Sequence, residues 1–544
     1  MPDFESRPYP KLMMPGDRGP RNPNLAESKS PLLPATRPRY AVEMKLRSTR
    51  RELLAGLGAL ALAPAARAGT PLPLRDILDG VAAAGEPEAM LAVLRGSPAE
   101  KLQRADRSLL AMVARGLERE VELRRLFPFG KADGSSPYVI SHRHGAYLQL
   151  EAGGTPAAGT VRRLDEETER LRAEAGRGLA PPDFILEAVL GAETALRSKA
   201  SAQVGPALDR QMAELRRLRA GAGASPGVWR LPGGPDYYRL RLRCTSGLDD
   251  SPERIERRAA AETAVLLAKA GRLLGQLGLE RGSVGERLRE LKRRPEYLYA
   301  NDEAGRSRAV AGMNIALARY LRNMALAFNP PLAPGSSVRR MAAADERAGR
   351  RGYRDPPMAA GPGAYYPDLA AVRERPSWTL TPVAFHETVP GHLLQLEREQ
   401  SADPHPLQIR YAPGYPEGWA MYAESLAGEM DWPIADRLGF IQSRLFRLAR
   451  VTCDIGIHLR RWDRARATAY LEETVGFELF FPFAVEVDRY AAEPGAFAGD
   501  LMVAQELSRL GDTARRSGPA ALRQYHDAVL NRGPVSAETL GPLV

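Results

Sequence analysis

Two histidines six residues apart, with a proline and a glycine between them, constrain this chain more than any other feature. The stretch Ala384-Phe385-His386-Glu387-Thr388-Val389-Pro390-Gly391-His392-Leu393-Leu394-Gln395 holds two imidazoles and an adjacent carboxylate. Two more carboxylates follow in Glu417-Gly418-Trp419-Ala420-Met421-Tyr422-Ala423-Glu424. Hydrolytic zinc chemistry uses such a set: three nitrogen or carboxylate ligands hold the ion, a fourth position stays open for water, and a separate carboxylate takes the proton. In that reading His386 and His392 are ligands, Glu387 is the base and Glu417 is the third ligand. The spacing is unusual. The familiar HExxH signature stacks its histidines on one helix face at i and i+4, whereas six steps of about 100° leave the rings roughly 120° apart. Pro390-Gly391 can absorb the two extra residues, because proline removes a helical donor and glycine tolerates unusual dihedrals, so a bulge is expected within the helix. The competing reading is a pair of ordinary helix histidines around a kink. With seven histidines in 544 residues, chance pairing is uncommon without being negligible.

The N-terminal region reads as an address rather than as fold. Residues 1–43 are rich in proline, arginine and small polar residues and lack apolar periodicity, the signature of disorder. Met44-Lys45-Leu46-Arg47-Ser48-Thr49-Arg50-Arg51 then opens a twin-arginine pattern, followed by an apolar run from Leu53 to Ala65 and the small-residue site Ala66-Arg67-Ala68. That is a Tat-type export signal, with Met44 as the expected start. The run is shorter than the roughly 20 residues a membrane span needs, so no stable membrane span is expected and the protein is expected to be exported, periplasmic or extracellular. A structural N-terminal helix is the alternative. Twelve Lys/Arg against six Asp/Glu fall in residues 1–68, so more than half of the formal charge of +11 is confined there. The remainder carries no dense basic run interleaved with aromatics, which argues against a nucleic-acid partner.

From residue 69 onward Ala, Leu, Arg and Glu dominate, and amphipathic stretches recur at 261–279, 313–328, 435–462, 499–510 and 521–533, which predicts a mainly α fold. Strand signals are few; Tyr238 to Arg243 is the best short alternation. The Gly/Pro clusters at 221–236, 330–337 and 355–367 read as loops. So long a segment exceeds one compact core, and two helical lobes flanking a deep substrate cleft, with a small β element, fit better than independent domains. Cys244 and Cys453 are read as separate buried thiols, and without a CxxC pair cysteine-ligated zinc is not expected. His142-Arg143-His144 reads as polar surface more readily than as a ligand pair. Asp454 and His458, at i and i+4 of the predicted helix 435–462, share a face, which suits a plain core histidine bonded to Asp454 as well as a functional pair.

The paired motifs His386-Glu387-Thr388-Val389-Pro390-Gly391-His392-Leu393-Leu394-Gln395 and Glu417-Gly418-Trp419-Ala420-Met421-Tyr422-Ala423-Glu424 resemble those of the bacterial DUF885 family, with echoes in Asp454-Ile455-Gly456-Ile457-His458, Trp462 and Pro494-Gly495. The likeness is strongest from about Gly361 to Leu510. It implies a large helical zincin-like metallopeptidase fold over residues 69–544, Zn2+ as cofactor and a short peptide as substrate. It implies Glu417 as the ligand, by its distance from His392, and leaves Glu424 to orient a histidine ring or to serve as a helix-pair carboxylate. His458 is then a candidate donor to the oxyanion, Tyr490 a second, and Ser377 to Pro382 a candidate strand at the cleft edge. The chain departs from the family where Pro494-Gly495 is normally followed by Gln and then Tyr: here Ala496 and Asp500 stand there, so a phenolic donor is missing. A catalytically silent metal- or peptide-binding relative, and a cationic binding protein without metal, are the other readings.

Overall fold

The long amphipathic stretch predicted at 435–462 forms a 26-residue helix, Ile434–Leu459, and it is buried on nearly every side. Leu438, Ile441, Leu445, Leu448, Val451 and Ile455 are all within the core. A helix buried at so many positions belongs at the centre of a large domain, and this one organises the rest. The computed structural model describes residues 73–150, 159–358 and 361–544. The expected leader and export signal, 1–68, lie outside the described residues.

Among the described residues, nine other helices and three short strands around this centre position the site. In chain order the helices are α1 (Gly234–Ser246), α2 (Pro252–Gln276), α3 (Glu303–Leu321), α4 (Ser377–Glu387), α5 (His392–Ala402), α6 (Tyr415–Gly428), α7 (Ile434–Leu459), α8 (Phe483–Ala492), α9 (Ala498–Arg516) and α10 (Pro519–Leu530). The central α7 packs against α2, α4, α8 and the short segment 228–230, while α6 lies along α9. An earlier helix, Arg104–Leu126, packs against α1. The described residues fall in one compact unit, and its largest apolar cluster joins α3, α4, α6 and α9. The mainly helical fold with a small β element is what the composition and periodicity led to expect. No helix among the described residues is long and apolar enough to cross a membrane.

The strands are β1 (Ser337–Val338), β2 (Tyr353–Asp355) and β3 (Ala364–Tyr366). They form a sheet of order β1-β3-β2, parallel on one side and antiparallel on the other, with Arg354 paired to Tyr365. Two strand expectations are corrected. Tyr238 to Arg243 lies inside α1, where Tyr237, Tyr238, Leu240 and Leu242 are all buried. Burial all round a helix leaves apolar residues at alternate positions, and so short a window cannot separate the two periods. Ser377 to Pro382 is the start of α4, not a cleft-edge strand. Pro382 removes the donor that would pair with the Trp378 carbonyl, and that carbonyl meets α7 at Gly439, where a Cβ would come within 2.0 Å of it. Only glycine allows this approach. Cys244 and Cys453 are both free, as expected.

Candidate metal centre

The break between α4 and α5 builds the site. Sequence reasoning anticipated a bulge within one helix; instead α4 ends at Glu387, α5 begins at His392, and four residues link them. The turn is held by its own backbone. Thr388 Oγ1 donates to the Ala384 carbonyl at 2.6 Å, Gly391 N to the Phe385 carbonyl at 3.1 Å and Leu393 N to the Thr388 carbonyl at 3.0 Å. Gly391 has no room for a side chain, since a Cβ would stand 2.2 Å from the His386 carbonyl oxygen and 2.3 Å from that of Phe385. Trp419 of α6 donates its indole N–H to the Pro390 carbonyl at 2.9 Å, which ties the second motif to the first. The Val389–Pro390 peptide is cis.

This geometry turns the two rings toward each other. Their centroids are 4.8 Å apart and their planes nearly perpendicular. Glu417 faces both, with Oε2 3.4 Å from His386 Nε2 and Oε1 3.6 Å from His392 Nε2. Ligands about 2.0–2.2 Å from a tetrahedral ion stand roughly 3.3–3.6 Å from one another, so the two carboxylate-to-imidazole edges fit such an ion. Among the described residues these three are the one group able to converge on a metal in this way.

The far side of each ring is also held. His386 Nδ1 is 2.7 Å from Glu424 Oε1, whose other oxygen accepts from Ser443 Oγ of α7 at 2.6 Å. His392 Nδ1 is 3.2 Å from Gln395 Oε1, and the amide of Gln395 donates to Glu399 at 2.7 Å. Such backing fixes ring orientation and leaves each Nε2 facing Glu417. Glu417 and Glu424, seven residues apart on α6, thus address opposite nitrogens of one ring. Sequence reasoning named both glutamates but missed Gln395 and Ser443; the i, i+3 spacing of His392 and Gln395 on α5 was the available signal.

Two arginines complete the surroundings. Arg447 of α7 donates to Glu417 Oε2 at 3.3 Å and lies 3.4 Å from His386 Nε2. Arg354, brought in by β2, forms an ion pair with Glu387. The charges explain the titration. Burial pushes the His386 imidazole down, but hydrogen bonds with Glu417 and then Glu424 outweigh it and raise the group to about 9. The carboxylates therefore favour positive charge at this spot. Burial, then Arg354, keeps His392 below its ordinary value, neutral and able to ligate. Glu387 is pushed up by burial, yet Arg354 and the two imidazoles hold it below the usual carboxylate range. Glu417 is lowered further, because its bonds with His386 and His392 outweigh burial.

The other expected site residues lie elsewhere. His458 is fully buried, with Nδ1 accepting from Val228 N at 3.1 Å and Nε2 3.0 Å from the Tyr490 carbonyl. Both nitrogens are engaged within the core, which leaves none to donate to an oxyanion and corrects that expectation. Burial holds the ring to about 3. Asp454 accepts from Tyr238 Oη at 2.7 Å and from Gly495 N at 3.0 Å, a junction between helices rather than a partner of the metal ligands. Tyr490 is buried beside Phe497, near Glu486 and Arg450, rather than among the groups bonded to the trio. Asp500 does face the site electrically. Burial and then Glu417 push it up to about 7. Ala496 packs against the apolar cluster around Phe497. His144 bridges Ser141 Oγ and the Tyr138 carbonyl in a tight turn, so the His142/His144 pair forms no metal site.

Comparison with known proteins places this geometry in a family. The family described as "Bacterial protein of unknown function (DUF885)" matches residues 81–544. A crystal structure described as "the putative lipoprotein from Colwellia psychrerythraea" is similar at 22% identity and TM-score 0.71, over 86% of this chain and 90% of that one. A second, "a putative lipoprotein of unknown function from Shewanella oneidensis", is similar at 14% identity and TM-score 0.62, over 86% and 93%. At these identities the likeness is one of fold. No curated protein matches the chain significantly.

Proposed function

The chain belongs to the DUF885 family, and on that premise we propose that it is an exported, zinc-dependent hydrolase related to the zincin-type metallopeptidases, acting on short peptides. The observation that carries this reading is the convergence of His386 Nε2, His392 Nε2 and Glu417, with Glu424 behind one ring and Glu387 next in the chain. When bound there, Zn2+ supplies a Lewis acid that acidifies water and polarises a carbonyl. The chain's own residues do the rest. Glu424 and Gln395 orient the two imidazoles. Glu387, held ionised by Arg354, accepts a proton at its carboxylate and passes it to the leaving amine, as a general base and then acid. Arg447, beside Glu417, favours negative charge developing on a carbonyl oxygen nearby.

Export draws support from the twin-arginine pattern of residues 44–68 and from the two similar structures, each described as a "putative lipoprotein". A chain starting at Met44 should be cleaved near Ala68, and Arg50→Lys with Arg51→Lys should stop translocation; unchanged export would remove the Tat route. One observation favours a second reading, a silent binding relative: the candidate base is already engaged by Arg354. Metal analysis of purified protein, followed by a mass-spectrometric screen of short peptides, separates the two. Close to one zinc per chain with cleavage supports the hydrolase, zinc without cleavage the silent relative, and no zinc neither.

A further inference from the structure

The central helix carries a polar stripe that continues past the metal ligands. Ser443, Arg447 and Arg450 follow at i, i+4 and i+7 of α7 and share one face. Ser443 supports Glu424, and Arg447 touches Glu417. Arg450 has no such duty. Its side chain is only 8% exposed, and its nearest carboxylate is Glu486, 3.3 Å from Nε in a geometry that makes no hydrogen bond. It donates no hydrogen bond within the described residues, and its Nε is among the buried unpartnered atoms. Its guanidinium is nonetheless fixed, lying 3.7 Å over the Phe497 ring.

Arg489 takes the other oxygen of Glu486 at 2.6 Å, so Arg450 and Arg489 share one fully buried glutamate, while Arg447 is paired with Glu417. Asp500 and Glu417 also face Arg450, neither hydrogen-bonded to it. A buried guanidinium with five donors and no hydrogen-bonded anion is costly and suits a planar carboxylate supplied from outside.

Resting on the hydrolase reading, we infer that Arg450, with Arg489 beside it, binds the free α-carboxylate at the C-terminus of a peptide whose scissile bond lies at the metal ligands. The spacing supports this. Arg450 stands one turn beyond Arg447, a rise of about 4.5 Å, and one peptide residue spans about 3.3–3.6 Å. Cleavage then falls one or two residues from the C-terminus.

The test titrates the metal-free chain calorimetrically with N-acetyl-Ala-Ala-Ala as free acid, with its C-terminal amide, and with N-acetyl-Ala-Ala-Glu amide, then measures their hydrolysis by the zinc-loaded protein. The free acid should bind at least tenfold more tightly than either amide, since a charge-assisted hydrogen bond is lost with the carboxylate. Arg450→Gln should abolish that preference with zinc content unchanged, and Arg450→Lys should restore part of it. Should Arg450→Gln fail to fold, Arg489→Gln should still weaken free-acid binding selectively. Equal binding of acid and amide, persistence of the preference in Arg450→Gln, or a glutamyl amide binding as well as the free acid would each overturn the inference. Cleavage without acid preference would leave the hydrolase reading standing; acid-selective binding without cleavage of any peptide would do the reverse.

Discussion

Replacing Glu424 by glutamine tests the division of labour between the two glutamates of α6. The substitution keeps shape and removes charge. Its amide oxygen can still accept from His386 Nδ1, now at 2.7 Å, and its NH2 can turn to Ser443 Oγ, which now lies 2.6 Å from the other oxygen. What is lost is the negative charge that orients His386 and raises its basicity. Losses of this kind cost 10–100-fold in metal affinity, about 1.4–2.7 kcal/mol. Glu417→Gln should cost much more, because it removes an anionic ligand that faces both rings at 3.4 and 3.6 Å. The assay is competition for zinc against a chromophoric chelator, with circular dichroism confirming that each variant is folded. If Glu424→Gln binds zinc within twofold of wild type, or if it is as damaging as Glu417→Gln, the assignment of one glutamate to the ion and the other to the ring is wrong.

Glu387→Gln should keep its zinc and its fold yet lose at least 10²-fold in peptide hydrolysis, the low end for general acid–base catalysis; activity equal to wild type would remove the mechanism. Gly391→Ala drives a Cβ into two backbone carbonyls and should cost ~3 kcal/mol of stability together with most of the zinc affinity, and a variant with an unchanged unfolding midpoint would contradict the close approach. His458 and Asp454 titrate in opposite senses. Below pH 6.5 the unfolded histidine takes a proton that the buried ring, held to about 3, refuses, so its contribution falls with acid. Buried Asp454, pushed up to about 7 from 3.8, keeps a proton the unfolded chain has lost, so its contribution falls as pH rises from about 4 to 7. Asp454→Asn should therefore lose stability relative to wild type by about 1.4 kcal/mol per unit as pH drops from 7 to 4, read from urea midpoints; parallel pH profiles would show that the pair is not coupled to folding in this way.

How much of the site could be read from the sequence depended on how far apart the contributing residues lie in the chain. His386, Glu387 and His392 sit in one short motif, and Glu417 and Glu424 in another, so the residue types of each motif, together with the family resemblance, brought out the set that converges. The helical architecture was legible for the same reason: 435–462 and 499–510 carry their period within themselves. Arg354 reaches Glu387 across 33 positions, Ser443 reaches Glu424 across 19, and Arg447 reaches His386 across 61. An arginine on a short strand or on a buried helix has no local pattern that distinguishes it from any other of the chain's many arginines. His458 failed in the opposite direction. Its i, i+4 relation to Asp454 was read correctly as a shared face, but whether the face meets substrate or core is a tertiary fact, and here Val228 and Tyr490 close it off.

The break at Pro390-Gly391 has a consequence that a bulge would not have had. It ends one helix and begins another at the two imidazoles, with His386 in the last turn of α4 and His392 in the first turn of α5. A helix C-terminus carries partial negative charge and favours a cation, whereas an N-terminus carries partial positive charge and disfavours one, each effect worth about 0.3–1 kcal/mol. The two imidazoles therefore sit at ends of opposite sign. His386 is also flanked by Glu417 and Glu424, and its charged form is favoured; His392 is backed by a neutral amide and approached by Arg354, and its neutral form is favoured. Helix ends and side chains thus act in the same direction at each ring. A continuous helix would have placed both histidines in mid-helix, away from either end, and left that difference to the side chains alone. The two additional residues in the motif accordingly do more than preserve ring convergence: they set one imidazole in a field that favours positive charge and the other in a field that keeps it neutral.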